Sequence, residues 1–220
     1  MTQTTTASAT EPVISKTYPE TGFTSIANKI DGNITFTQEN SYSIVVSAQQ
    51  FILDILNVQV TNSQLIISYV SQAPPHLPVS ITISSPELSG ISLFGSGNFN
   101  SAQAIQANDL NLQQSGSGNI SLASFTGQSL EAQTSGSGNL SINAGSVSSQ
   151  DLNISGLGKM LLPAVTSEQA TAKISGTGTI KINVTQTLNA KISGAGDIYY
   201  SGNPTVTQKV TGSGKVIHVQ

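Results

Sequence analysis

The residues of this chain that could carry out chemistry are few and far apart. His76 and His218 are its two histidines, and it contains no cysteine, arginine or tryptophan. The carboxylates after residue 100 are Asp109, Glu131, Asp151, Glu168 and Asp197. A glycosidase needs two carboxylates in one groove, but Asp109 and Asp151 lie at different distances from the glycine motif described below. The sequence therefore predicts no catalytic residue, no cofactor and no metal site.

The composition excludes several classes of protein. Charged residues are 9% of the chain, whereas 33 Ser, 23 Thr, 16 Asn and 18 Gln make its surface polar but uncharged. A net charge of −3 without arginine argues against a nucleic-acid partner. No apolar run reaches the ~18 residues of a transmembrane helix. We expect an extracellular or cell-envelope protein, with an export signal that is not part of this sequence.

The elements that would position any site are set by an internal repeat. A Gly-x-Gly triplet recurs seven times at intervals of 21, 20, 20, 20, 18 and 18 residues. We predict that its glycines form structural turns, at Gly95, Gly97, Gly116, Gly118, Gly136, Gly138, Gly156, Gly158, Gly176, Gly178, Gly194, Gly196, Gly212 and Gly214.

Each triplet is flanked by alternating apolar and polar residues, which is typical of short half-buried strands. About 20 residues are too few for a strand–helix–strand unit, which needs ~30, but they suffice for one coil of a solenoid. The prediction is an all-β, single-stranded parallel β-helix with 18–21 residues per coil, and we expect it to be right-handed. The alternation also predicts one internal apolar column, formed by Ile120, Leu140, Met160, Ile180 and Ile198.

Two polar series share the same repeat and should stack in the same way. Like residues at one position of successive coils can hydrogen-bond to each other along a ladder. The serine ladder would contain Ser115, Ser135, Ser155, Ser175 and Ser193. The asparagine ladder would contain Asn98, Asn119 and Asn139, with other residue types in later coils.

The region before the repeats differs from them. We interpret residues 1–15 as a flexible tail and 16–220 as one solenoid domain, in which 16–90 form an N-terminal β-layer and cap and 91–220 carry the repeats. Within 16–90 the predicted features are strands at Ile34–Phe36, Ser43–Val46, Phe51–Val60, Gln64–Tyr69 and Val79–Ile83, a turn at Thr61–Gln64 and a loop at Ala73–Pro78. The segment Asp31–Phe36 looks like a degenerate repeat unit.

The chain resembles the head GIN domain of putative autotransporter adhesins. The resemblance rests on Gly22–Ile26, Gly32–Thr35, Leu65–Ile67 and the repeated Ser-Gly-Ser-Gly-Asn-Ile/Leu units, and it covers about residues 18–219. It implies a secreted or surface-exposed bacterial β-helix with an adhesin role, and it brings no catalytic motif with it.

Two functions from different classes remain open. The first is a non-enzymatic surface module, an adhesin head, that binds a surface glycan or protein and forms a homo-oligomer through a face or an end. The alternative is a carbohydrate-binding or carbohydrate-active β-helix. A carboxylate pair within ~10 Å in a groove would favour the enzyme.

Overall fold

The computed structural model describes residues 11–71 and 77–220, and it is a parallel β-solenoid of about 6 turns. The predicted fold class is therefore confirmed. In the described residues, no helix is long and apolar enough to cross a membrane.

The repeated coils are built from two rows of strands that meet at the Gly-x-Gly corners. The rows contain β8 (Gly90–Gly95), β9 (Phe99–Gln106), β10 (Asp109–Gly116), β11 (Ile120–Thr126), β12 (Ser129–Gly136), β13 (Asn139–Ile142), β14 (Gly145–Gly156), β15 (Lys159–Gly176), β16 (Thr179–Gly194), β17 (Asp197–Ser201), β18 (Thr205–Gly212) and β19 (Val216–His218). Residues that precede a corner pair with residues that precede the next corner, and all these pairings are parallel.

The predicted internal column is confirmed. Ile120 pairs with Leu140, Leu140 with Met160, Met160 with Ile180 and Ile180 with Ile198, and all five side chains are 0% exposed. Stacking of like-sized apolar side chains in every coil gives the solenoid one continuous core, so each coil depends on both neighbours.

Glycine is required at both positions of the corner, for two different reasons. Gly136 has a φ of +135°, where L side chains are strained, and a Cβ there would overlap the carbonyl oxygen of Gly116. Gly138 has no positive φ, but its Cβ would overlap the carbonyl of Gly118 and the side chain of Gln114. The triplet therefore marks the place where successive backbones come closest.

The described part of the N-terminal unit, residues 13–71 and 77–85, contains seven strands and one short helix. They are β1 (Val13–Tyr18), β2 (Ser25–Asn28), β3 (Asn33–Gln38), β4 (Ser43–Gln49), α1 (Gln50–Ile55), β5 (Leu56–Thr61), β6 (Gln64–Tyr69) and β7 (Ser80–Ser85). β4 pairs antiparallel with β1 and β7, and β5 pairs antiparallel with β6. These antiparallel strands close the N-terminal end of the solenoid.

Chain order and stacking order differ in this unit. The coil formed by β2 and β3 lies between β6–β7 on one side and β8–β9 on the other, with parallel pairing throughout. The degenerate repeat is therefore a true coil, the first in chain order: Ile34 pairs with Phe99, the apolar residue after the first Gly-x-Gly.

The structure corrects one predicted strand. Phe51–Val60 was expected to be extended, but Gln50–Ile55 is helical and the strand begins at Leu56. A short apolar run does not distinguish a strand from a buried helix, and here Ile52 and Leu53 are buried while Gln50 Nε2 donates to Asp54 Oδ1 at 2.6 Å.

Other N-terminal predictions have varied outcomes. The turn predicted at Thr61–Gln64 is present, with Asn62 and Ser63 at φ values of 51° and 59°. β1 begins at Val13, inside the segment interpreted as a tail. His76 and most of the Ala73–Pro78 loop lie outside the described residues.

Candidate functional site

The serine series forms a straight exposed column. Ser115, Ser135, Ser155, Ser175 and Ser193 pair in register, each with the next, at the position before the corner. Phe94 precedes the column and Thr211 follows it. The serines stack as predicted, but the hydrogen bonds expected between them are not formed: these hydroxyls make no side-chain hydrogen bond within the described residues. They are therefore available to a ligand.

The asparagine series is occupied by bonds between coils. Asn119 Nδ2 donates to Asn98 Oδ1 at 2.9 Å, and Asn139 Nδ2 donates to Asn119 Oδ1 at 3.2 Å. The same oxygens also accept the backbone N–H of the next asparagine at 3.0 Å in both steps. The column begins one coil earlier than the sequence indicated, because Asn98 Nδ2 donates to Asn33 Oδ1 at 2.8 Å. These amides mainly hold the coils together.

After Asn139 this repeat position holds other residue types, and the hydrogen bonds between coils use backbone carbonyls or a carboxylate. The N–H of Thr179 donates to the carbonyl of Gly158, and that of Asp197 to the carbonyl of Gly178. Near the C-terminus, Asp197 Oδ1 accepts the N–H of Lys215 at 2.9 Å, as an asparagine would. The coils are therefore joined at this position without asparagine at Thr179 and Asp197.

An open groove of about 640 Å³ runs across β12, β14, the second half of β15, β16 and β18. Most of its lining residues are polar, and they include Ser129, Glu131, Asp151, Thr171, Asn189 and Thr207. These residues point outward in period-2 alternation with the buried core. The groove spans five coils, which suits an extended molecule better than a compact one.

Two carboxylates lie side by side in this groove, a pair that was not predicted from the sequence. Glu131 and Asp151 are at the same repeat position and pair in register on neighbouring strands. Glu131 Oε2 accepts from Asn111 Nδ2 at 2.9 Å, and Asp151 Oδ2 lies 3.7 Å from Lys173 Nζ. Both residues lie five positions before the next glycine triplet, so a comparison of these distances would have predicted the pair.

The carboxylate pair lacks the environment of an acid catalyst. A glycosidase acid is kept protonated by burial against apolar groups, whereas Glu131 and Asp151 are both exposed. Burial raises the pKa of Tyr18 and Tyr69, which do not line this groove. In the described part of the chain, no group of three or more His, Cys, Asp or Glu side chains could hold a metal ion.

His218 belongs to the packing of the last coil. Its ring stacks on Tyr200 at 4.9 Å between centroids, and its Nε2 lies 2.9 Å from the carbonyl oxygen of Gly202. Tyr199 points to the opposite side, where Lys181 Nζ lies 5.5 Å from its ring centroid. Neither ring lines the groove.

Solved structures share this architecture over nearly their whole length. A crystal structure of a putative adhesin from Bacteroides fragilis has a TM-score of 0.90 and 26% identity, covering 96% of this chain and 99% of that chain. A putative adhesin from Parabacteroides merdae has a TM-score of 0.75 at 23% identity, with 94% and 96% covered. A putative lipid binding protein from Parabacteroides distasonis has a TM-score of 0.78 at 21% identity, with 94% and 97% covered.

No curated protein matches the chain. The sequence pattern of one family does match, over residues 22–204, which include the N-terminal unit from just before β2 and all but the last two strands of the solenoid. The chain therefore belongs to the family described as putative auto-transporter adhesin, head GIN domain.

Proposed function

We propose that this protein is a non-enzymatic binding module, an adhesin head that is secreted or displayed at the bacterial cell surface. Its binding surface is the face formed by the strands that precede the glycine corners. The observation that carries the proposal is the column of five exposed serines in register, with hydroxyls unbonded to described residues, beside an open polar groove.

Such a face would bind a ligand through many equivalent weak contacts, one or more from each coil. One hydroxyl contributes little net free energy, about 0.5–1.5 kcal/mol for a hydrogen bond, but a polymer that engages several coils at once gains from multivalency. The partner would be a surface glycan or glycoprotein, whose hydroxyls match the serines and the groove amides. Membership of an adhesin family supports this proposal.

The test is binding of the intact protein to immobilised mucin and to immobilised polysaccharides, measured by surface plasmon resonance. We expect Ser135→Ala, Ser155→Ala and Ser175→Ala each to weaken binding less than about threefold, and the triple variant to lose about tenfold or more. Ser121→Ala and Ser141→Ala, on the other face of the same coils, are the matched controls. Loss of all binding in one single variant would overturn the multivalent proposal.

The carbohydrate-active alternative has one observation in its favour, the Glu131–Asp151 pair in the groove. Incubation with the same polysaccharides and assay of new reducing ends distinguishes the two functions. We expect no turnover. Turnover that disappears in Glu131→Gln would replace the adhesin proposal with a hydrolase.

The open end of the solenoid supports the further proposal that the protein forms a homo-oligomer. The last coil leaves Val210 40% exposed, at the position where Ile192 is 1% exposed in the preceding coil. The edges of β18 and β19 have no further strand beside them in the described structure. An exposed sheet edge and apolar core residues together favour association through this end.

A further inference from the structure

Charge is distributed very unevenly along the chain. Residues 1–158 contain two lysines and nine carboxylates, a net charge of −7, whereas residues 159–220 contain six lysines and two carboxylates, a net charge of +4. Since chain order follows the solenoid axis in the repeated coils, the last coils form a basic end on an otherwise acidic protein.

Three of these lysines form a column in the proposed binding face. Lys173 pairs in register with Lys191, and Lys191 with Lys209, in the parallel strands β15, β16 and β18. Neighbouring strands lie about 4.8 Å apart, and like charges directly opposite each other destabilise a sheet. Within the described residues, Lys173 forms an ion pair with Asp151, whereas Lys191 and Lys209 form no ion pair with a carboxylate. An anionic ligand would relieve this repulsion.

The residues on both sides of the lysine column are hydroxyls and amides. Thr171, Asn189 and Thr207 flank it in the groove, and Ser175, Ser193 and Thr211 flank it on the corner side. We propose that the lysine column and its flanking columns bind a polyanionic polysaccharide, with carboxylate or sulfate groups on the lysines and sugar hydroxyls on the neighbouring side chains. The chain of the polymer would run along the solenoid axis over three coils.

The same columns disfavour other occupants. Single-stranded nucleic acid is bound by basic grooves in which aromatic side chains stack on the bases; within these three coils no aromatic residue stands in the lysine column or in the two columns beside it. A second copy would need an apolar interface centre, whereas these three columns consist of Lys, Thr, Asn and Ser. A hydrated anionic polymer suits the face better.

This inference rests on the proposed function and deepens it by naming the ligand class. The experiment measures binding of the intact protein to polygalacturonate, dextran sulfate and neutral dextran at two salt concentrations. The Lys191→Ser/Lys209→Ser variant removes two charges from the column. Lys159→Ser/Lys215→Ser removes two charges from positions after the corners, outside the binding face, and is the matched control. Far-ultraviolet circular dichroism and thermal unfolding verify that both variants fold.

We expect the protein to bind both polyanions more tightly than neutral dextran, with an affinity that falls as salt rises. The column variant should lose about tenfold or more, and the control less than about twofold. Equal losses in the two variants would reduce the effect to net charge and overturn the inference.

Two results would separate this inference from the proposed function. Binding to neutral dextran or mucin that depends on the serine column but not on Lys191 and Lys209 would leave the adhesin proposal standing and overturn the polyanion. Failure to bind any of the polymers would count against both. Tighter binding to single-stranded DNA or to phosphatidylglycerol vesicles than to polygalacturonate, or a dimer that dissociates in the column variant, would also overturn the inference.

Discussion

The repeated coils and the N-terminal unit bury equally apolar side chains but arrange them differently. In the coils, Leu140 and its equivalents meet the same repeat position above and below, and every pairing is parallel. In the N-terminal unit, Ile44 in β4 is as fully buried, but it pairs antiparallel with Ile83 and Tyr18. The coils are joined by the same parallel pairing in every repeat, whereas β1, β4 and β5 of the N-terminal unit are joined by antiparallel pairings that do not recur.

The difference explains why the two ends of the solenoid are unequal. The N-terminal unit closes one end with antiparallel strands and α1, which contacts β1 and β4. In the described residues no antiparallel strand covers the last coil, and its inward residues are partly exposed. A closed end needs strands whose sequence departs from the repeat.

The largest effect should come from the glycine corners. Gly136→Ala should destabilise the protein by about 3–6 kcal/mol, because it adds backbone strain to an overlap with the Gly116 carbonyl. Gly22→Ala is the comparison in the N-terminal unit: its φ is +74° but nothing lies within 4 Å of the added Cβ, so the cost should be about 1–2 kcal/mol. Urea denaturation measures both. Equal costs would mean that strain alone, without the close approach of coils, sets the requirement for glycine.

The next effect concerns the internal column. Leu140→Ala should cost about 2–5 kcal/mol, since it leaves a cavity between Ile120 and Met160. Leu157→Ala makes the same chemical change at a side chain that is 65% exposed at the next corner, and should change stability by less than about 0.5 kcal/mol. If Leu140→Ala were as mild as the control, the coils would be able to collapse around the cavity.

The sequence predicted the coils far better than the N-terminal unit, and the reason is physical. A period of about 20 residues fixes the register, because successive backbones approach so closely at each corner that only aligned glycines fit there. The helix at Gln50–Ile55 and the insertion of β2–β3 between β7 and β9 depend on contacts that no period records. The Glu131–Asp151 pair and the lysine column do follow the repeat. Comparing residues by their distance to the next glycine corner would have predicted both.

Self-association should distinguish the open end from the closed one. We expect light scattering at tens of micromolar to show an oligomer, and Val210→Asp to shift it to monomer by placing a charge on the exposed core of the last coil. Val13→Asp changes a residue that is 53% exposed in β1 at the closed end and should leave the mass unchanged. A protein that is monomeric throughout would contradict the homo-oligomer proposal.

The smallest effect concerns polar side chains inside the solenoid. Thr134 is 0% exposed and its hydroxyl has no hydrogen-bond partner among the described residues. It lies in a column between Gln114 and Ile154. In the N-terminal unit, by contrast, buried Ser85 donates its hydroxyl to the Glu87 carbonyl at 2.7 Å. Thr134 and Ser85 therefore differ, although the coils also contain a satisfied buried hydroxyl, because Ser167 Oγ donates to the Asn183 carbonyl at 3.2 Å.

Thr134→Val keeps the shape of the side chain and removes the unbonded hydroxyl, so it should stabilise the protein by about 1 kcal/mol. Ser85→Ala should destabilise it by a similar amount, because the Glu87 carbonyl loses its donor. Both are measured as shifts of the urea midpoint at constant slope. Destabilisation by Thr134→Val would show that its hydroxyl is satisfied inside the solenoid, most simply by a water molecule.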